Sequence, residues 1–333
     1  MQAYQQVVDQ ARPNEMCCDP RWFVAVCRGL KHQPHLLVAS QGGQPVGVLP
    51  LAFVKSRLFG RFLVSLPYIN SAGVIAEDNE IATALIDRAV ELADDLDVRH
   101  LELRHERPVE HPALGGEITN KVLMRLPLPD SSKELWDGLK AKVRNKVRKG
   151  EKQGFTIHWG SQDLLADFYA VFSRNMRDLG TPVFGERLFL AILTQFQNEA
   201  ELCVVRAGRQ PIAAGLLVHG DGATEVPSAS SLRDFNSTNA NDLMYWHLLQ
   251  RAVERGQRLF DFGRSTVDGN TFVFKKKWGA RPEPTVWQYY TRKGAAADFR
   301  PDSGKYDRMI AAWRRLPVWA TRLIGPSIIR GIP

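Results

Sequence analysis

Apolar positions along the chain follow two rhythms, and the change between them marks the elements. In the second half, "LCVV" (202–205) and "IAAGLLV" (212–218) flank the turn-forming "AGRQP" (207–211), which predicts a β-hairpin. "TEVPSAS" (224–230) predicts a third strand, and "RDFNSTNAND" (233–242) an open loop. In "LMYWHLLQRAVERG" (243–256) the apolar Leu243, Trp246, Leu249 and Val253 recur at helical spacing. Asn241 or Asp242 is expected to cap that helix and Gly256 to end it. In "RLFDFGR" (258–264), Leu259 alternates against Phe260 and Phe262 as in a buried strand, so strand, helix and strand form a crossover in a mixed sheet.

The same series occurs earlier. "GGQPVGVLPLAF" (42–53), "LPYINSAGVI" (66–75), "LIDRAVELADDLD" (85–97) and "VRHLELRHE" (98–106) parallel "AGRQPIAAGLLV", "EVPSASSLRD", "LLQRAVERG" and "QRLFDFGRS" in order. Pro45 corresponds to Pro211, Pro67 to Pro227, Arg88 to Arg251 and Arg99 to Arg258, at an offset near 160. Four ordered coincidences indicate a tandem duplication of one α/β unit. The expected fold class is therefore α/β, two tandem units, each a mixed sheet with flanking helices. "PYINSAG" then occupies the place of "PSASS", and Arg104 that of Arg264.

Between the units, "SSKELWDGLKAKVRNKVRKGEKQG" (131–154) reads as one helix from Ser131 or Ser132. Trp136, Leu139, Val143 and Val147 form its apolar stripe, and Lys142, Arg144, Arg148, Lys149 and Lys152 a positive strip. The expected domains are 1–128 for the first unit, 129–156 for the basic linking helix, 157–295 for the second unit and 296–333 for a basic amphipathic tail. That tail mixes Trp313 and Trp319 with Arg308, Arg314, Arg315, Arg322 and Arg330, interrupted by Pro317 and Pro326. It suits either an interfacial segment on an anionic membrane or a helix docked on the second core.

Composition narrows the chemistry. Forty-four Lys and Arg against 36 Asp and Glu give a net charge of +8, which favours a polyanionic partner. Cys17, Cys18, Cys27 and Cys203 lack a zinc-binding spacing and read as reduced thiols, and no metal site is expected. The start lacks a signal-peptide pattern and no run of 18 apolar residues occurs, so a cytoplasmic location is expected, with peripheral contact at the inner membrane face. There is no HExxH, no GxSxG, no P-loop and no Rossmann fingerprint. The basic helix does not interleave aromatics for base stacking, so specific DNA binding is not expected.

A strand, an open loop and a helix start form a natural anion receiver, because free backbone N–H groups and the helix dipole point at the incoming group. In the second unit this is "SSLRDFNSTNAND", with Arg233, Asn239 and Asn241 as candidates; a loop that merely caps its helix would use the same asparagines. Together with "KVRNKVRKGEKQG", "FDFGRS" and "FKKKWG", these elements resemble two GNAT-type acyltransferase units in tandem, as in the FemAB family. The likeness is strongest to members linked to exopolysaccharide and exosortase (PEP-CTERM) systems, and it covers residues 20 to 290.

The resemblance implies an N-acyltransferase of the GNAT/FemAB type. It would move an acyl or aminoacyl group from acyl-CoA or aminoacyl-tRNA to an amine of a cell-envelope saccharide or peptide precursor. It places Phe274 and Lys275 at the transfer site, with Lys275 stabilising the tetrahedral oxyanion or the donor's phosphate-rich end. Read as a strand, "FVFKKKWG" (272–279) puts Phe272, Phe274, Lys276 and Trp278 on one face and Val273, Lys275 and Lys277 on the other; lysines that guard a strand end against edge pairing are the alternative. Asp261 is a candidate proton acceptor, with Arg264 and Ser265 orienting the acceptor, although Asp261 and Arg264 could simply pair with each other or a neighbour. Tyr68, Asn70, Arg104, Arg144 and Arg148 are candidate substrate-binding residues, and a charged crevice between the units is expected. The loop "RDFNSTNAND" departs from CoA-binding GNAT enzymes in lacking glycine, and no long helical arm of the kind some tRNA-using relatives carry is found, so the donor is open.

Overall fold

The computed structural model describes residues 1–11, 16–292 and 307–332. In chain order the helices are α1 (Gln2–Ala11), α2 (Pro20–Leu30), α3 (Asn79–Asp95), α4 (Ser132–Gly138), α5 (Ala141–Glu151), α6 (Leu165–Leu179), α7 (Glu186–Gln195), α8 (Ala240–Glu254), α9 (Asn270–Lys277), α10 (Asp307–Arg315) and α11 (Val318–Ile329). The strands are β1 (Gln33–Gln41), β2 (Gln44–Ser56), β3 (Gly60–Val64), β4 (Ile75–Ala76), β5 (His100–His105), β6 (Gly116–Ile118), β7 (Lys121–Pro127), β8 (Thr156–Gly160), β9 (Ala200–Ala207), β10 (Gln210–His219), β11 (Ala223–Ser231), β12 (Leu259–Thr266), β13 (Arg281–Pro284) and β14 (Val286–Thr291). They form two mixed seven-stranded sheets with flanking helices, the doubled α/β arrangement that the repeat predicts.

The two units are not contiguous in sequence. The first comprises 1–122, 284–306 and 327–333, the second 123–283 and 307–326. The expected division at 128, 156 and 295 is thereby redrawn: β14 belongs to the first sheet, and residues 307–326 pack with the second unit rather than forming a separate tail. Residues 296–306 of that expected tail lie outside the described residues.

In the first unit the strand order is β1-β2-β3-β5-β14-β6, with β4 beside β2. A two-residue turn at Gly42–Gly43 joins β1 to β2. α3 starts where the Asp78 carboxylate accepts from the Ile81 N–H at 2.8 Å. It lays Leu85, Ile86, Ala89 and Ala93 against Leu49, Leu51, Leu63, Leu101 and Leu103 of the sheet. β3 and β5 pair in parallel, Phe62 with His100 through Val64 with Glu102.

The third strand of this unit is thus β3, at 60–64, and "PYINSAG" is a loop, not the counterpart of "PSASS" in β11. Its residues cannot continue the strand, because Leu66 and Tyr68 have φ of 54° and 76°, the left-handed region that breaks a ladder.

The second sheet has the order β13-β7-β12-β11-β10-β9-β8. β10 is buried throughout from Ile212 to His219, as a strand covered on both faces must be, with α6 and α8 packed on it. β11 and β12 pair in parallel only from Ala223–Leu259 to Glu225–Asp261, while β11 continues antiparallel to β10 out to Ser231.

Three local expectations change in this unit. The linking helix is broken into α4 and α5 by Gly138 and by Leu139, whose extended backbone (ψ 143°) turns its side chain into the core. The Arg144 guanidinium seals the break by donating to the carbonyls of Trp136 and Asp137, at 3.4 and 2.9 Å. "FVFKKKWG" lies mostly in helix α9, so Phe272 and Lys275, three apart, face inward together while Lys276 stays exposed. Its aromatic and β-branched content favours a strand locally, but burial of that one face decides the outcome. Finally, α8 begins at Ala240, one turn before Leu243, with Asn239 as an N-cap that makes no side-chain bond. Gly256 does end it, its N–H donating to the Val253 carbonyl at 2.8 Å.

Candidate active site at the end of the parallel ladder

Beyond Glu225–Asp261 the parallel ladder stops, and β12 runs on through "FGRST". Gly263 adopts φ 74°, a conformation that costs an L side chain energy, and its N–H donates to the Asp261 Oδ1 at 2.6 Å. In a regular strand successive carbonyls point in opposite directions. The kink instead brings those of Gly263 and Arg264 to one point, where both accept from the Lys275 ammonium of α9 at 3.0 Å.

Lys275 is only 8% exposed. Burial lowers its pKa from 10.5 to about 8, against the opposing charge of Asp261. Two of its three N–H donors are used by the strand carbonyls, and among the described residues the third has no partner. Ser265, one residue further along β12, is buried and its Oγ has no hydrogen-bond partner among the described residues. Across the ladder's end, Ser228 and Ser230 of β11 are buried, and Asn175 of α6 donates to the Ser230 hydroxyl at 3.1 Å.

The rest of the predicted set divides. Asp261 accepts from Arg125 Nε at 2.9 Å as well as from Gly263, and Arg125 also donates to Glu283 at 2.7 Å. Both Asp261 oxygens therefore have donors, an arrangement that holds the kink and pairs the acid with a neighbour outside the predicted motif. Phe274 is half-buried against Tyr245, ring centroids 4.8 Å apart, with the Lys277 ammonium 4.1 Å from its ring. Tyr245 stacks on Phe262 as well, and burial pushes its phenol pKa well up, so it is a neutral hydroxyl.

The expected anion receiver has its own acid. Arg233 is exposed at the start of a 3₁₀ segment, Arg233–Thr238, and Asn239 adopts φ 60° in place of glycine. In the first turn of α8, however, the buried Asp242 is paired with Lys277, while Asn241 is half-buried. α5 also packs closely here: a Cβ on Gly150 would lie 3.0 Å from Leu243 Cβ and 3.2 Å from the Asn239 carbonyl. Arg144 is committed to the end of α4, and Arg148 lies over the Trp136 ring at 5.4 Å.

In the first unit the equivalent opening is filled. Ser65 N–H donates to the Glu102 carbonyl, Ala72 N–H to that of Arg104, and the Arg104 guanidinium to the Ile69 carbonyl and to Glu102, at 2.7 to 3.0 Å. Arg104 also lies 3.9 Å from the Trp287 ring, and Trp287 Nε1–H donates to the Asn70 carbonyl. Arg104 thus fastens the loop carrying Tyr68 and Asn70 across the end of β5. His105 continues the fastening: its Nε2 accepts from Val74 N–H while its Nδ1 donates to Gln288, whose oxygen also takes the Val109 N–H.

Residues 138–276 match the acetyltransferase (GNAT) domain. The matched stretch includes α5, the end of the parallel ladder, the Gly263 kink and Lys275. No curated protein sequence matches the chain. Among solved structures it is similar to FemX, with a TM-score of 0.63 at 16% identity over 93% of this chain and 98% of that one. It is also similar to L-PGS from Bacillus licheniformis, at 0.58, 12%, 97% and 96%, and to a tandem GNAT protein from the clavulanic acid biosynthesis pathway, at 0.53, 12%, 83% and 95%. These are likenesses of fold, and the last is of two GNAT units in one chain. Among the described residues no group of His, Cys, Asp and Glu could hold a metal ion, and no helix is long and apolar enough to cross a membrane.

Proposed function

We propose that the chain is an N-acyltransferase of the FemAB type. Its second unit would move an acyl or aminoacyl group from an activated donor to an amine of a cell-envelope or exopolysaccharide precursor. The reading is carried by the Lys275 ammonium, buried on two converging carbonyls just past the end of the β11–β12 ladder, inside the GNAT match. A buried cation with a donor to spare suits an oxygen that gains negative charge.

In the reaction the acceptor nitrogen attacks the donor carbonyl carbon, forming the C–N bond. The carbonyl oxygen becomes an oxyanion, for which the remaining Lys275 N–H is the donor. Collapse breaks the C–S bond of a thioester or the C–O bond of an ester, and the leaving group departs with the proton that the nitrogen sheds. Ser265, whose buried hydroxyl has no partner among the described residues, supplies a hydrogen bond to the acceptor. Asp261 acts through the backbone, holding Gly263 and hence the carbonyls under Lys275, rather than taking the proton itself.

The GNAT match makes acyl-CoA the first donor to test. An aminoacyl ester of RNA is the second donor to test, because the loop 232–242 lacks glycine and the first turn of α8 carries the buried Asp242, paired with Lys277, two departures from an open backbone cradle for pyrophosphate. Thermal shift of the full chain with acetyl-CoA, with an aminoacyl-tRNA and with a UDP-amino sugar checks the proposal. A donor that stabilises the native chain, with transfer from it lost in a folded Lys275→Met variant, supports it. A folded Lys275→Met variant that transfers from that donor at the parent rate contradicts the placement of the site.

A further inference from the structure

Residues 307–326 fold back on the second unit through one side only. The Ile310 side chain lies so close over Gly180 that a Cβ there would meet it at 2.5 Å, and a Cβ on Gly325 would lie 2.9 Å from the Val183 backbone nitrogen. The Arg314 guanidinium donates to the Leu179 carbonyl at 3.1 Å and that of Arg177 to the Leu316 carbonyl at 3.1 Å. On α11, Arg322 Nε–H donates to Ser173 Oγ at 2.8 Å, with its guanidinium 5.3 Å from the Tyr169 ring. These inward contacts fix which way the two helices face.

The outward side is unusually apolar. Met309 is 66% exposed, Trp319 70%, Leu323 72% and Ile324 42%. Trp319 and Leu323, four residues apart, share one face of α11, and Ile324 lies beside Leu323. Isolated exposed apolar side chains are ordinary, but a tryptophan and two aliphatic side chains held outward on one anchored helix, with Met309 exposed on the helix before it, call for a cover. The charge within 307–326 is mostly positive: Arg308, Arg314, Arg315 and Arg322 stand against the single acid Asp307. Arg308 and Arg315 are exposed.

We propose that this crest, Met309, Trp319, Leu323 and Ile324 with Arg308 and Arg315, rests on an anionic lipid surface. A tryptophan and aliphatic side chains on a helix lying in the plane of the interface insert among the acyl chains, while arginines beside them meet the headgroup phosphates. A second copy of the chain is a poorer cover. A two-fold contact through the crest would set its arginines against the same arginines of the other copy. The proposal is independent of the transfer chemistry and would stand if that reading failed.

The test is co-sedimentation of the full chain with vesicles of phosphatidylcholine alone and of phosphatidylcholine mixed in equal parts with phosphatidylglycerol. Binding is expected to the mixed vesicles only and to weaken with added salt. Trp319→Ser with Leu323→Ser should lower the partition coefficient roughly tenfold or more without changing the melting temperature, and Arg308→Glu with Arg315→Glu should do the same. A chain that stays in the supernatant with mixed vesicles overturns the proposal. So does a Trp319→Ser/Leu323→Ser variant that sediments like the parent. A concentration-dependent dimer that this variant dissolves, with vesicles ignored, assigns the crest to a second copy and equally overturns it.

Discussion

At the scale of single residues, Gly263 and Lys275 are one device. The ammonium can be buried because two carbonyls meet it, and the carbonyls meet it because one glycine adopts φ 74°. Gly263→Ala is therefore expected to destabilise the chain by about 1–2 kcal/mol in urea unfolding and to lower transfer activity beyond that loss, since the ammonium would lose its seat. The Lys275 pKa is depressed, so the folded chain releases this proton before the unfolded chain does. Below pH 8 the cost of burying the cation is present in full; it is relieved as pH rises from about 8 to 10.5, where stability should gain up to about 3 kcal/mol relative to the Lys275→Met variant. Unfolding midpoints of the two proteins across that range measure it. The resemblance put Lys275 at the transfer site; its seat on two carbonyls could not be read from the sequence, because the kink depends on the Asp261 carboxylate accepting from Gly263. The repeat marked Arg104 as a counterpart of Arg264, and the structure shows it holding its own loop.

At the scale of elements, hairpins and crossovers were legible wherever a turn or a long apolar period stood out, as in β9–β10 and α8. Short segments were not. Eight residues of "FVFKKKWG" satisfy an alternating and a helical reading equally, and only the packing of Phe272 and Lys275 separates them. The break between α4 and α5 rests on one glycine and on an arginine three residues beyond the break. A cluster with no motif at all ties α8 to the sheet: the buried Glu201 carboxylate accepts both Arg251 donors at 2.8 Å and pairs with His219 Nε2, whose Nδ1 meets Thr224. Burial alone would raise the Glu201 pKa, but the bonds from His219 and Arg251 outweigh it and bring it from 4.5 to about 2. Its contribution is therefore complete above pH 4.5 and is lost as pH falls toward 2. Glu201→Ala should cost about 3–5 kcal/mol at neutral pH, measured by urea unfolding, because it leaves buried partners unpaired.

At the scale of the whole molecule, a duplication has produced two units with different endings to the same parallel ladder. In the first, residues 65–74 close the end of β3–β5 with backbone and Arg104 bonds; in the second, the end of β11–β12 keeps Ser265 and one Lys275 donor unpartnered among the described residues. The hairpin, helix and last strand of the repeat were legible in the sequence, but its third strand in the first unit and the exchange of segments were not, since nothing local marks β14 as a strand of the first sheet. A chain ending at Glu283 should therefore fail to fold its first unit, seen as rapid proteolysis of residues 1–122, because Glu102 loses Tyr289 and Arg104 loses Trp287. Transfer at the end of the β11–β12 ladder is checked by single-turnover transfer of a labelled acetyl or aminoacyl group to amino-sugar and peptide acceptors by the parent chain and by Lys275→Met. Loss of one oxyanion donor predicts a rate lower by about 10² to 10³ with the fold intact; an unchanged rate in the folded variant would contradict it.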